Sequence, residues 1–530
     1  MSRMERLSTP LRRRTVGLVL ASGLLTVVSH PDASFSLAAW VALVPLLIAL
    51  RDVRSWKEAA RIGWFTGFVA FLGIIGWIVI LAKFMGIEGP FAWVLSGTGA
   101  VLLAAYLALY IGLFAVLIHL FVPRAGFGYI VGVAVVWVFG EWLRGWMLTG
   151  FPWGSLGSSQ WNRLAIAQLA ALGGVPLLSF LLAFVNATFA NAFFRRPERR
   201  RVRIESVPAL VLVVAALVYG NVALRTIPPP IGSIRVAVVP GNVPQTTRWS
   251  RRALSENLDL YLRLMEKAVA EKPELIVLPE TSVLYAYLRP EDRDRFHAFL
   301  SSRGLPILFG MPKVSRRGDL REGYNAVVLM DPEGDVLGEY HKQHLVPFGE
   351  YIPLRKYLPS FITDRVIGVA DYNFGKESNV LVLPRESGDV RIGTPICFES
   401  VFPNISREFV QNGANVLIVV TNDGWYEGTA ALAQHNAFSV FRAIETRRAV
   451  VRAANRGFSE FITPEGRILP GGIRYDDSNG IIVDDVPLMS GTTIAVRFGD
   501  WVSILSVFGV AVLVAEHWRR RRRETGSGPA

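Results

Sequence analysis

Up to about residue 224, the sequence is a series of long apolar runs separated by short polar loops. A helix needs about 20 residues to cross the hydrocarbon core of a bilayer, and all but the first two runs reach or approach that length. An eighth apolar run, Trp501–Ala515, is followed closely by Arg519–Arg523, as expected of a final span with a cytoplasmic anchor. We predict the seven earlier spans at about 15–29, 36–50, 62–82, 91–121, 128–146, 167–194 and 207–223.

The pattern changes at Ile234, where short β-branched runs begin to alternate with amphipathic segments. Turn sequences at Asp331–Asp335 and Thr463–Arg467 predict hairpins. Hairpins together with crossover helices predict a layered α/β sandwich. The predicted strands are Ile234–Val239, Leu275–Leu278, Ile307–Gly310, Ala326–Met330, Val336–Tyr340, Arg391–Ile396, Val416–Thr421 and Val450–Ala453. The predicted helices are Arg251–Glu271, Arg293–Ser302, Val401–Asn412 and Thr429–Arg447.

Composition and charge agree with a membrane protein, since 51% of the residues are apolar and only 19% are charged. In a soluble protein, a net charge of +13 would suggest that the protein binds nucleic acid. The positive charge, however, lies around the predicted spans: segments on one side hold 21 Lys and Arg, and the opposite short loops hold three. This bias predicts that both termini are cytoplasmic, that the large domain lies outside, and that no nucleic acid binds. We divide the chain into residues 1–224, 225–498 and 499–530.

Cys397 is the sole cysteine of the chain, which excludes an intramolecular disulfide framework and a multi-cysteine zinc site. It lies in the segment Gly393–Ser400, where a buried strand is predicted to end and a helix to begin. Backbone amides at such a turn favour a thiolate and can receive an oxyanion. The alternative interpretation is a small buried apolar residue.

Glu280 and Lys342 are further candidates for catalysis. Glu280 follows an apolar strand, at the sheet edge where α/β proteins place their sites, and partial burial there suits a general base. Lys342 follows a hairpin strand and could hold positive charge over an oxyanion. A solvated strand end and an ordinary surface lysine are the alternatives.

Taken together, these three segments resemble the nitrilase, or carbon-nitrogen hydrolase, superfamily over about residues 234–487. Leu278–Thr281 (LPET), Lys342–Glu350 (KQHLVPFGE) and Ile396–Glu399 (ICFE) match its motifs in order. The resemblance implies an α-β-β-α sandwich in which Cys397 is the nucleophile, Glu280 the base and Lys342 the stabiliser of the tetrahedral intermediate. The same triad supports amide hydrolysis and acyl transfer, so the substrate stays open.

The membrane spans extend the resemblance to the apolipoprotein N-acyltransferase family over nearly the whole chain. Gly241–Gln245 and Thr421–Trp425 are further matches. The resemblance implies transfer of a fatty acyl chain from a phospholipid, typically phosphatidylethanolamine, to the diacylglyceryl-cysteine amine of apolipoproteins through a Cys397 thioester. It places the protein in the bacterial cytoplasmic membrane, with the catalytic domain on the outer face. We expect a monomer.

Five residues are assigned supporting or substrate-binding roles on this resemblance: Glu350, Glu399, Trp249, Trp425 and Phe398. The apolar segments Leu358–Phe374 and Trp425–Tyr426 could cover the site and exclude water, or could simply pack on the domain. His341 and His344 offer an alternative Cys–His pair, although their place in a loop favours a structural role.

Two other functions remain open at this point. A membrane-tethered amidase would pass the acyl group to water and would not need lipid. A transporter with a degenerate soluble domain is less consistent with the predicted spans, since Glu141 is the only carboxylate near the middle of one. The sequence contains no phosphate-binding loop, dinucleotide fingerprint or histidine-glutamate metal motif, so no cofactor or metal is implied.

Overall fold

The computed structural model describes residues 13–33, 35–84, 89–244, 251–317, 320–353, 355, 371–473 and 480–526. The chain forms two compact units. One comprises Met1–Ile78, Gly97–Asn221 and Asp500–Ala530, and the other comprises Val79–Ser96 and Val222–Gly499.

The first unit is helical. Six helical segments in the described part of the chain are long and apolar enough to cross a membrane, which agrees with a polytopic membrane protein. The principal helices that contribute to this unit are Arg13–Ser29, Val44–Leu50, Trp56–Ile75, Pro90–Phe121, Phe127–Trp146, Ala170–Phe194, Arg199–Ala223 and Trp501–Gly526.

The first two predicted spans correspond to shorter helices. Arg13–Ser29 has 17 residues, and the second run is divided between a 3₁₀ helix at Ser36–Trp40 and the α-helix Val44–Leu50. The total of eight spans therefore remains a prediction. The helix Ala170–Phe194 is kinked at Gly173 and Gly174, where the backbone leaves helical geometry.

Polar side chains inside the first unit form hydrogen bonds with backbone groups outside its α-helices. Glu141 accepts hydrogen bonds from the Trp137 indole at 2.9 Å and from the Leu156 amide at 2.7 Å. Asn186 accepts from the Leu43 amide and donates to the Ala39 carbonyl. Non-helical backbone at membrane depth requires such partners because lipid offers none, so these residues have a structural explanation.

The second unit contains two β-sheets in its described part. The strands are β1 Gly232–Val238, β2 Leu275–Val277, β3 Ile307–Arg317, β4 Leu320–Met330, β5 Val336–His341, β6 Leu381–Leu383, β7 Val390–Gly393, β8 Val416–Asn422, β9 Val450–Asn455, β10 Glu460–Ile462 and β11 Ile482–Leu488. The six-stranded sheet has the order β11-β1-β2-β3-β4-β5, and the five-stranded sheet has the order β10-β9-β8-β7-β6.

Parallel pairing brings several strand ends to common edges. In the first sheet β1, β2 and β3 are parallel neighbours, and in the second β7, β8 and β9 are parallel. β8 and β9 are in register to their last residues, so Asn422 pairs with Asn455. The carboxyl ends of parallel strands are where α/β proteins place their sites.

Helices cover the sheets and bury their apolar faces. Side chains of the helices Arg251–Val269 and Pro290–Arg303 share a buried cluster with strands of the first sheet, including Tyr261, Phe296 and Ile276. The helices Pro403–Gln411 and Ala430–Thr446 belong to the other half of the domain, and Phe409 of the former lies fully buried. The predicted layered sandwich is thus confirmed.

Several predicted boundaries were wrong. Strands β6, β10 and β11 were missed; β6 and β10 have only three residues each. A helix does begin at Cys397, as predicted, but it is the 3₁₀ helix Cys397–Val401; the α-helix predicted from Val401 starts two residues later, at Pro403. Proline favours the first helical turn, because its missing amide has no helical partner there.

Candidate active site

The three predicted triad residues lie just beyond strand ends. Glu280 follows β2, Lys342 directly follows β5, and Cys397 follows β7. All three side chains are buried, with Glu280 6%, Lys342 1% and Cys397 5% exposed. Burial of two charged groups and a thiol demands specific partners, because an unpaired buried charge is strongly destabilising.

Lys342 lies between two carboxylates. Its Nζ is 2.9 Å from Glu350 Oε1 and 3.5 Å from Glu280 Oε1. Burial alone would lower the pKa of Lys342, but the negative charges of Glu350 and Glu280 raise it well above its usual value. The lysine is therefore a permanent cation throughout the physiological pH range. Glu350, assigned a supporting role from sequence, is its nearer partner.

Asn325 on β4, which was not predicted as a site residue, joins the same two carboxylates. Its Nδ2 donates to Glu280 Oε1 and to Glu350 Oε1, both at 2.7 Å. The side chain is 2% exposed. The sequence does offer one signal for Asn325, because it begins the otherwise apolar run Asn325–Met330. An asparagine buried in such a strand needs hydrogen-bond partners for its amide.

The second oxygen of Glu280 is held by the other sheet. Glu280 Oε2 accepts from the Asn422 amide at 2.9 Å. Asn455 on the neighbouring strand end donates to the Asn422 side chain at 3.0 Å, and it exchanges two hydrogen bonds with the backbone of Val243. These contacts fix the carboxylate of Glu280 in one orientation. They also bring the predicted motifs around Val243 and Asn422 to the site.

Cys397 has a backbone conformation that is uncommon for a residue with a side chain, with φ at +52°. Burial raises the pKa of its thiol, the charge of Glu280 raises it further, and Lys342 opposes both. The thiol is therefore protonated at neutral pH in the resting site. A nucleophilic role requires a base that removes the proton as the bond forms.

Behind Cys397 lies a buried polar network whose His435 and Arg452 were not predicted as site residues. His435 contacts the Cys397 carbonyl through Nε2 at 3.1 Å and Asp423 Oδ1 through Nδ1 at 2.9 Å. Arg452 donates to Asp423 Oδ2 at 2.7 Å. Although burial would raise it, the positive charge of Arg452 and the contact with His435 hold the pKa of Asp423 well below its usual value.

The same network includes three groups of the kind that bind metals. A ligand atom of each of Cys397, Asp423 and His435 lies within 4.8 Å of the other two in the described structure. However, Arg452 and Thr421 donate hydrogen bonds to the Asp423 carboxylate. This arrangement stabilises the carboxylate without a metal, so it gives no support to a metal centre.

Glu399 holds the loop that carries Lys342. One oxygen accepts from the Gln343 amide at 2.6 Å, the His344 amide at 3.0 Å and the Tyr340 hydroxyl at 2.8 Å. The other accepts from the Ile396 amide at 2.8 Å. Burial raises the pKa of Glu399 to about 7, against the opposing effect of these hydrogen bonds. Its contacts thus connect the segment of the lysine to that of the cysteine.

His344 and Phe398 pack together beside the triad. The His344 ring stacks on Phe402 with centroids 3.7 Å apart and lies 5.7 Å from the Phe398 ring. Burial and the charge of Lys342 lower the pKa of His344 to about 4, so this ring is neutral at pH 7. His341 stacks on Tyr324 at 4.3 Å. The histidine ring that contacts Cys397 in the described structure is that of His435, which was not predicted.

Comparison with known proteins now identifies the family. The family described as "Carbon-nitrogen hydrolase" matches residues 235–495, and "Apolipoprotein N-acyltransferase N-terminal domain" matches residues 22–188. A protein of Geobacter metallireducens named apolipoprotein N-acyltransferase is 34% identical over 515 residues, 96% of each chain. The chain belongs to the apolipoprotein N-acyltransferase family. A relative of that name from Gloeobacter violaceus is 32% identical over 97% of each chain.

Solved structures also resemble part of this family member. The amidase from Nesterenkonia sp. AN1 has 20% sequence identity and a TM-score of 0.36, and the match covers 48% of this chain and 93% of that chain. Saccharomyces cerevisiae Nit3, a nitrilase-superfamily member, has 18% identity and a TM-score of 0.36, with 48% and 90% covered.

Two predicted substrate-binding regions of this acyltransferase-family chain can be described only in part. Trp425 is partly exposed, and its ring meets that of Phe84 edge-to-face at 5.1 Å. Trp249 and residues 358–370 of the predicted lid lie outside the described residues. At the end of that segment, the Tyr372 amide donates to the Glu350 carbonyl at 3.0 Å. Residue 372 is therefore adjacent to the residue whose carboxylate binds Lys342.

Proposed function

We propose that this protein transfers a fatty acyl chain from a membrane phospholipid to the amino group of a diacylglyceryl-modified N-terminal cysteine on apolipoproteins. The observation that carries the proposal is the placement of Lys342 between Glu280 and Glu350, in one buried site with the only cysteine of the chain. The names of the relatives support the acceptor. Phosphatidylethanolamine is the proposed donor.

In the first half-reaction, the Cys397 sulfur attacks an ester carbonyl of the phospholipid while Glu280 takes the thiol proton. The raised pKa of the thiol favours this concerted transfer over a preformed thiolate. Lys342 stabilises the negative oxygen of the tetrahedral intermediate. The intermediate then breaks its carbon–oxygen ester bond, Glu280 returns the proton to the leaving oxygen, and a thioester and a lysophospholipid result.

In the second half-reaction, the neutral amine of the lipoprotein attacks the thioester carbonyl. Glu280 takes a proton from the nitrogen as the carbon–nitrogen bond forms. The carbon–sulfur bond then breaks, the proton passes from Glu280 to the Cys397 sulfur, and the free enzyme is restored. Water must be excluded throughout, because hydrolysis of the thioester would release a free fatty acid.

The supporting residues have distinct proposed roles. Glu350 keeps Lys342 charged and in place, and Glu399 fixes the loop after Lys342. Phe398 and Trp425 are proposed to contact the acyl chains, since both side chains are partly exposed apolar groups close to the site. Trp249 is proposed to join them.

We propose that the catalytic domain, residues 225–498, faces the outer side of the bacterial cytoplasmic membrane and that both termini are cytoplasmic. Five long helices precede this domain in the described chain, and seven are predicted from sequence. Both numbers are odd, so both place the domain opposite the N-terminus. A phosphatase fused after residue 530 should be inactive in cells and a fluorescent protein fused there should fluoresce; the reverse result would contradict this orientation.

The decisive experiment uses the purified protein in detergent–phospholipid micelles with a diacylated lipopeptide. Triacylated product should form with the wild-type enzyme and be absent with Cys397→Ala. Phospholipid alone should give one lysophospholipid per enzyme and an acyl adduct on Cys397 by mass spectrometry. Formation of triacylated product by Cys397→Ala would contradict the proposed mechanism.

The same assay tests the amidase alternative. A hydrolase would continue to release fatty acid and lysophospholipid without lipopeptide, because water would take the place of the amine. Acyl transfer predicts that release stops after one turnover until lipopeptide is added. Continuous release without the acceptor would contradict the proposed function.

A further inference from the structure

The peptide that follows the nucleophile is held from behind by a buried histidine. His435 lies on the helix Ala430–Thr446, and its Nε2 is 3.1 Å from the Cys397 carbonyl oxygen. The Ser400 hydroxyl donates to the same carbonyl at 2.9 Å. A carbonyl oxygen can only accept hydrogen bonds, so the contact requires a proton on Nε2. Both side chains are shielded from solvent, since His435 is 1% and Ser400 0% exposed.

The orientation of the His435 ring is itself fixed. Its Nδ1 lies 2.9 Å from Asp423 Oδ1, and Asp423 is held by Arg452 at 2.7 Å and by the Thr421 hydroxyl at 2.9 Å. Arg452 also donates to the Ser439 hydroxyl on the same helix. All of these side chains are buried. The ring can therefore neither flip nor withdraw without breaking several buried hydrogen bonds.

Fixing this carbonyl also fixes the next amide. A trans peptide unit is planar and points its C=O and N–H in opposite directions, and no cis peptide occurs in the described chain. The Phe398 amide therefore points away from His435. A donor on the carbonyl also polarises the peptide, which strengthens its N–H as a hydrogen-bond donor. The left-handed backbone of Cys397 needs such support, because residues with a side chain disfavour it.

We propose that His435 is a positioning residue that holds and polarises the 397–398 peptide, so that its amide and Lys342 together stabilise the tetrahedral oxyanion. Asp423 and Arg452 orient His435. The inference rests on the proposed acyl transfer and assigns a part in it to His435, Asp423 and Arg452, none of which was predicted as a site residue. Because His435 acts through the peptide, its loss should affect formation of the oxyanion and leave the thiol itself reactive.

The test compares His435→Gln with His435→Asn. The glutamine amide nitrogen can reach the position of Nε2 and donate to the Cys397 carbonyl, whereas the asparagine amide reaches only the position of Nδ1, facing Asp423. Acylation is measured as single-turnover release of lysophospholipid. Loss of a whole oxyanion donor costs about 10²–10³-fold in rate. We therefore expect His435→Asn to lose about 10- to 100-fold, below that limit, and His435→Gln to retain most of the rate.

A second measurement separates this role from general disruption of the site. Alkylation of the single cysteine by iodoacetamide displaces iodide in one step and forms no oxyanion. Its rate should be unchanged in His435→Asn and His435→Gln. Ser400→Ala, which removes the other donor to the same carbonyl, should slow acylation in the same direction and also leave alkylation unchanged.

Equal acylation rates for the asparagine and glutamine variants would overturn the role proposed for His435. So would a parallel fall of acylation and alkylation, because that result would mean that His435 supports the thiol or the packing around it. Absence of lysophospholipid release from the wild-type enzyme would overturn the proposed function, and the role of His435 with it. The wild-type result therefore distinguishes the two failures.

Discussion

The carboxylate of Glu399 accepts a hydrogen bond from the backbone amide of Gln343 at 2.6 Å. Glu399 lies two residues after Cys397, and Gln343 lies one residue after Lys342. The contact therefore connects the segment of the proposed nucleophile to that of the proposed oxyanion stabiliser. Its strength depends on the protonation state of Glu399, because a carboxylate accepts hydrogen bonds at both oxygens and a carboxylic acid must use one of them to donate.

Glu399→Gln should remove a pH-dependent part of the stability. Burial raises the pKa of Glu399 from its ordinary value to about 7. The neutral acid is thus favoured on folding, so this stabilisation is complete below the ordinary pKa and is lost as the pH rises towards 7. The wild-type free energy of unfolding relative to Glu399→Gln should fall by up to about 1.4 kcal/mol per pH unit across this window.

Thermal unfolding of both proteins in detergent from pH 5 to pH 8 tests this prediction. Glu386→Gln, at an exposed position of the same domain, is the matched control and should show no such trend. The prediction would be wrong if wild type became more stable relative to Glu399→Gln as the pH rose.

Glu280→Gln and Glu350→Gln should differ in severity, although both carboxylates contact Lys342. Glu280 is the proposed base, and loss of general-base catalysis costs about 10²–10⁴-fold. Glu350 holds the lysine, and loss of a hydrogen bond to a charged group costs about 1.5–3 kcal/mol, or roughly 10- to 100-fold. Single-turnover acylation measures both. If the Glu350 variant were the more damaged, the base would be assigned to the wrong carboxylate.

Asn325→Asp should make stability fall as the pH rises. The change places a third carboxylate 2.7 Å from oxygens of both Glu280 and Glu350. Like charges in a buried site repel strongly, and protonation of one group relieves the repulsion. The thermal midpoint of the variant should therefore recover towards wild type between pH 8 and pH 5, with acyl transfer impaired at pH 7. Asn404→Asp, on an exposed turn of helix, should show neither effect.

Gly220→Ala should destabilise the helical unit, whereas Gly97→Ala should not. A Cβ at Gly220 would collide with the backbone carbonyl of Ala165, and backbone cannot move aside like the end of a side chain. A Cβ at Gly97 meets nothing within 4 Å. Overpacking costs about 1–3 kcal/mol, while alanine at an open helical position is neutral or slightly stabilising. Thermal unfolding in micelles compares the two, and equal midpoints would contradict this packing.

The amino-acid sequence alone determined most of the helices and strands and which polar motifs were candidates for chemistry. Apolar runs of about 20 residues can satisfy their backbone in a bilayer only as helices, and the run at 167–194 agrees with the helix Ala170–Phe194. Short β-branched runs predicted β1 and β8 to within two residues. Glu280, Lys342 and Cys397 could be found because each follows a strand signal at a polar motif.

Only the tertiary structure decided which side chains meet. Asn325 became part of the site because the register of β3, β4 and β5 places it beside Lys342, and no local pattern encodes that register. Glu280 and Asn422 are 142 residues apart; Glu280 lies just after a strand of one sheet, and Asn422 is the last residue of a strand in the other. The local sequence does not distinguish His435 from other buried helical residues. Its role depends on the packing of its helix behind Cys397. Hydrophobic periodicity is a property of neighbouring residues, whereas a buried hydrogen bond depends on distance and angle between atoms that only the packed fold brings together.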